Sequence, residues 1–405
     1  MRRSTPRLAG VALVTIAGLV LVGCSSKAPS ASSTGTAGGL SIQPLLQVDK
    51  DGKQVQASAG GAAATPAGDG KATCASTTTI AMAGALTGPN AALGINISNG
   101  AQLAIKQHNA ANKDCQVQFK GYDTEGDPAK APAVATQIIN NADVIGLIGP
   151  AFSGETKATG AAFHDAGLLS LTASATNPAL TTNGWTNFFR GLANDAVQGP
   201  SVAAYLVNTA HYKKVCVVKD DSDYGVGLAQ QITTGLGSAA DSSCAISVKT
   251  GDKDFSSAVQ QVKTAAPDAI FYSGYYAEAA PFVSQLRTAG VTATFVSADG
   301  TNDPQFVKQA GSASKDAILS CPCGPAPADF EKAYEAQFNV ASGVYSVEAY
   351  DLATIVLKAI DGGAKDRASV VNFVKNYSGD GLARHYQWNA NGELASALIW
   401  IYQVK

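Results

Sequence analysis

Charge of either sign is scarce in this chain of 405 residues. Only 15 % of the residues are charged, and 29 Lys and Arg against 31 Asp and Glu give a formal net charge of −2. So small a net charge provides no general attraction to nucleic acid or to an anionic membrane surface. Hydrophobic residues make up 46 % of the sequence, which excludes a wholly disordered chain. The composition therefore predicts a soluble, globular protein of at most two lobes that does not bind nucleic acid.

Catalytic and metal-binding motifs are also missing. The sequence contains only four His, and it has no His-Glu-x-x-His helix, no Gly-x-Ser-x-Gly turn and no Cys-x-x-Cys pair. His108 falls on an apolar helix face, which is typical of a packed core residue. A Gly-x-Gly-x-x-Ala match at 235–240 falls where a helix should end, not between a strand and a helix. We therefore expect no enzyme activity, no metal ion and no cofactor.

The N-terminus has the features of an export signal. Three Arg within the first seven residues precede an apolar run over 8–22, which is short for a membrane-spanning helix of ~20 apolar residues. The run ends at Cys24 in the sequence Leu-Val-Gly-Cys, which resembles a bacterial lipoprotein signal. We predict a signal peptide over 1–23 and a lipid on Cys24, with the protein extracytoplasmic and lipid-anchored to the cell membrane. The alternative is an uncleaved anchor with an incidental Cys.

A segment rich in Ser, Gly, Ala, Thr and Pro follows the signal. Such a composition buries too little apolar surface to offset the conformational entropy of ordering the chain. It predicts a flexible tether over 24–75. One stretch, 40–55, contains more apolar residues and an Asp-Gly turn signal at 51–52, and whether it is ordered stays open.

The other six cysteines form an even set, which fits an oxidising compartment. Six cysteines allow 15 pairings, so the spacing alone does not select one. The placement of predicted strands favours two pairs, each joining neighbouring strands. A third pair would join residues two apart and requires Pro322 to bend the chain. The predicted disulfides are Cys74–Cys115, Cys216–Cys244 and Cys321–Cys323.

Short apolar strands alternate with helices from residue 76 onward, which predicts parallel sheets covered on both faces. The predicted strands include 79–83, 116–122, 144–148, 214–219, 245–249, 269–273, 294–297 and 317–320. The predicted helices include 129–141, 224–236, 255–266, 277–289, 329–338, 347–360 and 368–377, and a hairpin is expected around 389–392. The alternation of strands and helices predicts two doubly wound α/β lobes.

Small polar and aromatic residues recur where predicted strands end. Each such segment could be an ordinary turn or helix cap. Together they favour a binding cleft, because open α/β sheets bind ligands at the carboxyl ends of their strands. A helix that starts with a Ser also offers free N–H groups to a carboxylate. The five segments are 149–154, 172–178, 220–225, 273–278 and 297–300.

These residues carry a family resemblance over 76–405. The chain resembles the Leu/Ile/Val-type substrate-binding proteins of bacterial ABC importers, which have the type 1 periplasmic binding protein fold. The matching segments are 84–89, 122–123, 149–153, 172–178, 223–225, 253–255, 274–275 and 299–300. The resemblance implies two doubly wound lobes joined by a multi-strand hinge, with crossings near 192–195, 324–327 and 379–382. The implied lobes are 76–193 with 325–380, and 194–324 with 381–405.

The resemblance also implies a ligand site without catalysis. Ser153 and Thr176, with the backbone at Ser174 and Ala175, would hold a carboxylate, and Asp299, where many relatives have Glu, would hold an α-ammonium group. The lid and side-chain contacts would be Tyr224, Tyr275, Tyr345 and Leu93, the last at a position where Tyr is frequent. Among the other acids at these strand ends, Asp220, Asp221 and Asp223 are expected to be mostly solvated.

The function implied is capture of a small, apolar or branched-chain amino acid by lobe closure and delivery to ABC permease subunits. The protein would act as a monomer that reaches the membrane through the lipid on Cys24. An alternative is a sensor of the same fold that binds an amide, urea or a small acid and signals to a receptor. An extracellular α/β enzyme is a third possibility, but the sequence offers no paired nucleophile and base.

Overall fold

The computed structural model describes residues 39–56, 63–395 and 399–405. The strands are β1 (Ile42–Val48), β2 (Gln54–Val55), β3 (Thr79–Gly84), β4 (Gln118–Asp123), β5 (Val144–Ile148), β6 (Leu169–Thr172), β7 (Phe188–Arg190), β8 (Val215–Lys219), β9 (Ala240–Ser247), β10 (Ala269–Ser273), β11 (Thr294–Ser297), β12 (Ile318–Cys321), β13 (Ser378–Asp380), β14 (His385–Gln387) and β15 (Ile399–Val404). The α-helices are α1 (Ala91–Ala111), α2 (Ala131–Ile139), α3 (Ser153–Asp165), α4 (Asp195–Ala204), α5 (Asp223–Leu236), α6 (Ser256–Ala265), α7 (Tyr276–Thr288), α8 (Pro304–Ala310), α9 (Ala328–Phe338), α10 (Ser346–Asp361) and α11 (Arg367–Lys375). Among the described residues, no helix combines the length and apolar character needed to cross a membrane.

Two sheets organise the described chain, and both contain the same parallel arrangement. The first sheet has the order β4-β3-β5-β6-β7, and all of its pairings are parallel. Every residue of β3 and β5 is buried, because helices cover both faces of a parallel sheet. The predicted α/β class with parallel sheets is confirmed.

The second sheet has eight strands in the order β2-β1-β15-β12-β11-β10-β8-β9. Strands β8 to β12 are parallel, whereas β15 pairs antiparallel with β12 and β1 pairs antiparallel with β15. The sheet is therefore mixed at one edge. In each parallel set the chain reverses its winding direction once, between β3 and β5 and between β8 and β10. Open α/β sheets bind ligands outside the strand ends at such a reversal.

The predicted tether over 24–75 is wrong where β1 and β2 form. Residues Ile42 to Val48 pair with Val404 to Ile399, and Thr209 Oγ1 donates to the carbonyl oxygen of Gly52 at 3.2 Å. The pairing satisfies backbone groups along β15 that an edge strand would leave open. An ordered strand in this segment is stabilised by a partner more than 350 residues away in the chain, which composition does not reveal.

The assignment of 381–405 to the second lobe also needs correction. The N–H of Arg190, on the first sheet, donates to the carbonyl oxygen of Gly392 at 3.0 Å. The indole of Trp388 donates to the carbonyl oxygen of Arg190 at 2.6 Å. The segment around 388–392 therefore packs on the first sheet, while β15 belongs to the second. A turn closed by the Trp388–Leu394 bridge lies at the predicted hairpin.

The three cysteine pairs lie where the sequence analysis placed them. The Cα atoms are 4.6 Å apart in Cys74–Cys115, 5.0 Å in Cys216–Cys244 and 4.9 Å in Cys321–Cys323, and each pair is bonded in the structure. The first pair attaches the segment before β3 to the loop between α1 and β4. The predicted signal peptide and Cys24 lie outside the described residues.

Candidate functional site

A small cavity lies where strand ends from both sheets meet. It is enclosed by the residues after β5, β6, β8, β10 and β11, and by the N-terminal ends of α1 and α10. Seven of the nine predicted ligand-binding residues line it, together with two that the sequence analysis missed. The lining residues are Leu93, Ala151, Phe152, Ser153, Ser174, Tyr224, Tyr275, Asp299 and Tyr345.

The first wall of the cavity is the start of α3. Ser153 is the first helical residue and is buried, and its Oγ accepts a hydrogen bond from the N–H of Asn177 at 3.2 Å. Among the described residues, the N–H groups of Ser153 and Gly154 have no hydrogen-bond acceptor. The partial positive charge at the N-terminus of a 13-residue helix favours a negatively charged group here.

In the loop after β6, the backbone N–H groups do not point where the sequence analysis expected. The N–H groups of Ser174 and Ala175, which were expected to face a carboxylate, point to Thr172 Oγ1 at 3.4 and 2.9 Å. Ala175 and Thr176 are not among the lining residues. The N–H of Thr176 has no acceptor among the described residues, whereas its buried hydroxyl lies within reach of the buried carboxyl group of Asp195. The N–H of Thr176 is therefore a backbone donor of this loop that remains unused.

On the opposite side of the cavity lies the carboxyl group of Asp299. It is 1 % exposed, and it accepts hydrogen bonds from Tyr224 Oη at 3.0 Å and Tyr345 Oη at 2.7 Å, one on each oxygen. Burial raises the pKa of Asp299, and the hydrogen bonds from the tyrosines oppose that rise. The side chain of Gln198 also lies within hydrogen-bonding reach of this carboxyl group. A carboxylate offers about four acceptor positions, and a ligand cation would use the capacity that these donors leave.

Tyrosine rings form most of the remaining wall. The Tyr275 ring lies 5.1 Å from the Tyr224 ring and 5.0 Å, edge on, from the Phe152 ring. Burial raises the pKa of Tyr224, Tyr275 and Tyr345 well above the ordinary value, so their hydroxyls stay protonated and can donate. The Tyr275 hydroxyl has no protein partner among the described residues. With Leu93, these rings present an apolar surface beside two polar ends.

The backbone is strained at Tyr345. This residue precedes α10 with φ +71° and ψ −7°, a left-handed conformation that bulky side chains adopt at a cost of about 1–3 kcal/mol. The conformation directs the hydroxyl to Asp299 from the side of the first sheet. Such outliers concentrate at functional sites, and this one supports a role for Tyr345 in the cavity.

Contacts between the two sides close the cavity. The N–H of Ala92, on α1, donates to Tyr276 Oη at 3.3 Å, and Asn96 Nδ2 donates to Asp303 Oδ2 at 2.9 Å. At the exposed rim, Lys157 Nζ lies 2.7 Å from Asp223 Oδ1. These bonds join helices and a loop that flank different sheets, so they form only when the two sides of the cavity are together.

Two buried acids near the cavity were not anticipated. Asp195, the first residue of α4, is fully buried, and burial together with the charge of Asp299 raises its pKa well above the ordinary value. Asp220 was expected to be solvated, and that expectation is wrong. It is fully buried after β8, and burial raises its pKa to about 6. Sequence position alone does not distinguish it from Asp221, which is exposed.

A possible metal-ligand cluster lies away from the cavity. His108 is buried, as expected for a core residue, and its Nε2 lies 2.8 Å from Asp361 Oδ1. Cys115 Sγ is close to both residues, but this sulfur is bonded to Cys74. A disulfide sulfur is not a thiolate and does not ligate a metal ion, so this cluster supports no metal site.

The sequence of this chain is similar to known binding proteins. The family model described as periplasmic binding protein matches residues 77–405. The chain is 28 % identical over 340 residues to the leucine-, isoleucine-, valine-, threonine- and alanine-binding protein of Pseudomonas aeruginosa, covering 81 % of this chain and 90 % of that protein. It is 29 % identical over 325 residues to the Leu/Ile/Val-binding protein of Citrobacter freundii, covering 78 % and 87 %.

A solved structure shares the fold at similar identity. It is the branched-chain amino acid transporter substrate-binding protein of Streptococcus pneumoniae in complex with isoleucine. The TM-score is 0.72 at 29 % identity, over 78 % of this chain and 93 % of that one. The relatives are binding proteins. With a family model that matches four fifths of its length, the chain belongs to the periplasmic binding protein family.

Proposed function

We propose that this protein captures a small amino acid with an apolar or branched side chain outside the cytoplasm and delivers it to an ABC permease. The observation that carries the proposal is the pair of opposite ends of the cavity. The N-terminus of α3 lies at one end and the buried carboxylate of Asp299 at the other. A zwitterionic ligand supplies the two charges that these ends favour. The names of the relatives, which include Leu, Ile and Val, support the same class of ligand.

Each part of the ligand would meet a different wall. The carboxylate accepts hydrogen bonds from the Ser153 hydroxyl and from N–H groups at the start of α3 and at Thr176. The ammonium group donates to Asp299. The side chain lies against Leu93, Phe152 and Tyr275, which are the apolar part of the lining. An isolated buried charge costs several kcal/mol, so both ends of the cavity must be complementary to the ligand.

Binding is coupled to closure of the two lobes. Asp299 and Tyr224 belong to the second sheet, whereas Ser153 and Tyr345 belong to the side of the first, so a ligand between them stabilises the closed arrangement. The Lys157–Asp223 ion pair and the Asn96–Asp303 hydrogen bond form in the same step. A permease can then distinguish the closed shape from the open one. The protein binds and releases its ligand without chemical change.

Attachment to the membrane completes the proposal. A lipid on Cys24 would hold the monomeric protein at the outer face of the cell membrane. At most ~3.5 Å of chain per residue limits the distance from Cys24 to the start of β1 to roughly 60 Å. This is much shorter than a tether that continued to residue 75 would allow.

A thermal-shift screen of the mature protein tests the ligand class. The panel contains L-amino acids, their amides, urea and aromatic acids. We expect the melting temperature to rise most with L-leucine, L-isoleucine or L-valine, and to rise much less with the matching amides, which keep the ammonium group but lack the carboxylate. A rise with an amide or with urea, and with no amino acid, would contradict the proposal and favour a sensor of uncharged ligands.

A further inference from the structure

Arg190, which has no place among the predicted site residues, is fully buried at the end of β7. Its guanidinium group donates three hydrogen bonds. Nη1 donates to the carbonyl oxygen of Ala175 at 2.5 Å, and Nη2 donates to that of Asn177 at 2.6 Å. Nε donates to Glu393 Oε1 at 2.9 Å. Two of the three bonds therefore hold the loop after β6, which forms part of the cavity wall.

The direction of one peptide group follows from these bonds. The Ala175–Thr176 peptide bond is trans, so its carbonyl oxygen and its N–H point in opposite directions. Because the oxygen of Ala175 is held by Arg190, the N–H of Thr176 points away from Arg190. This N–H has no acceptor among the described residues. Arg190 thus determines where the unused donor of the loop points.

Glu393 holds Arg190 in turn. Its Oε1 also accepts a hydrogen bond from Thr181 Oγ1 at 2.7 Å, so the carboxylate links the C-terminal segment, Thr181 and the guanidinium group. The planar guanidinium group can satisfy three acceptors in fixed directions, whereas a lysine ammonium group on a flexible stem cannot reproduce that geometry. The arrangement is a rigid clamp on the loop.

We infer that Arg190 is a positioning residue for the carboxylate of the ligand. It does not line the cavity, but it fixes the loop so that the N–H of Thr176 faces the carboxylate. Its own charge is paired with Glu393, so it acts through the direction of this donor. The inference rests on the proposed function, because it assumes a ligand with a carboxylate.

The test compares Arg190→Met with Arg367→Met, using L-leucine and L-leucinamide as probes in calorimetry. Arg367 is a matched control, because it also donates to backbone carbonyl oxygens, including Val144 and Ile139, at the opposite end of the first sheet. A hydrogen bond to a charged group contributes more than one between neutral groups. We therefore expect Arg190→Met to weaken L-leucine binding by roughly 10- to 100-fold and L-leucinamide binding by less than about threefold. Arg367→Met should leave the ratio of the two affinities unchanged.

The outcomes separate this inference from the proposed function. If the parent protein binds L-leucine and Arg190→Met lowers the two affinities equally, the inference is wrong and Arg190 is only structural. If the parent binds no amino acid, the proposed function fails. Hydrogen exchange without ligand then tests the clamp itself. We expect the amide of Asn177, which donates to Ser153 Oγ, to exchange at least ~10-fold faster in Arg190→Met than in Arg367→Met, and equal rates would overturn the clamp.

Discussion

Replacing Asp299 with Asn removes the negative charge from the cavity and leaves its shape almost unchanged. In the parent protein the carboxylate accepts one hydrogen bond from Tyr224 and one from Tyr345. The amide of Asn keeps one accepting oxygen, and the tyrosine facing the new NH₂ group can rotate its hydroxyl and accept instead. The fold should therefore tolerate the substitution. A ligand ammonium group would meet a neutral partner in a site that is almost fully buried.

The size of the effect follows from the burial of Asp299, which is 1 % exposed. Removing one partner of a buried ion pair costs about 3–5 kcal/mol, and each ~1.4 kcal/mol corresponds to a factor of ten in affinity. We expect Asp299→Asn to weaken binding of the best amino acid roughly 10²- to 10³-fold or more. Asp299→Ala should weaken it at least as much, since it also removes the acceptor of both tyrosine hydroxyls.

Calorimetry on folded protein measures this loss. The control is Asp221→Asn, because Asp221 is exposed and its carboxylate accepts from Thr250, not from a residue of the cavity. We expect the control to bind within about threefold of the parent. If Asp299→Asn also binds within threefold, at an unchanged melting temperature, the ammonium group does not bind at Asp299 and the assignment of the two ends is wrong.

Three further predictions concern stability, redox state and anchoring. Burial raises the pKa of Glu155 to about 7 from an ordinary 4.5, so between these pH values the folded chain holds a proton that the unfolded chain releases. The free energy of unfolding should then fall with rising pH by up to about 1.4 kcal/mol per unit, and Glu155→Gln should remove that contribution. Urea denaturation at pH 4.5, 5.5 and 6.5 measures this pH dependence. If the free energy of unfolding changes equally with pH in the parent and in the variant, the reasoning is refuted. Peptide mapping without reductant should recover Cys216 and Cys244 in one cross-linked pair, and free thiols at both would exclude that disulfide. Cys24→Ala should release the protein to the medium or leave its signal uncleaved, whereas membrane retention with a normal mature mass would rule out lipidation.

The parts of the fold that the sequence predicted well have a strong local signal. Strands 144–148, 269–273 and 294–297 were predicted with the boundaries that the structure shows. Their residues are almost all buried, and each has apolar residues at its centre and is followed by a polar turn. In contrast, β1 is mostly half-buried and forms by pairing with β15 at the far end of the chain. No local pattern contains that information.

The types of residue in the site were predictable from the sequence, but the directions of the backbone N–H groups were not. The segments that contain Ser153, Tyr224 and Asp299 were found because each follows the end of a strand, which the alternating pattern places at one edge of a sheet. The family resemblance then singled out these three residues. The direction of an N–H group depends on backbone angles, so the bonds from Ser174 and Ala175 to Thr172 were not foreseen. The role of Phe152 could have been suspected, since it directly precedes Ser153 and the N-cap residue of a helix faces the same space.

The burial of several charged residues also depends on contacts between distant parts of the chain, so it could not be predicted from the local sequence. Arg190 and Glu393 are 203 residues apart in the chain and form an ion pair of 2.9 Å. Asp195 is buried close enough to Asp299 for the two charges to interact. Each of these residues would be expected at the surface from its type alone. Only the packing of the C-terminal segment against β7 and of α4 beneath the cavity brings them inside.

The most direct test of the central claim is a crystal structure of the mature protein with L-leucine, or with the amino acid that raises the melting temperature most. The account predicts that the ligand nitrogen lies about 3 Å from a carboxylate oxygen of Asp299. It also predicts that the ligand carboxylate lies at the N-terminus of α3, within hydrogen-bonding distance of Ser153 and of the N–H of Thr176. A ligand bound outside this cavity, or bound with its carboxylate beside Asp299, would contradict the account.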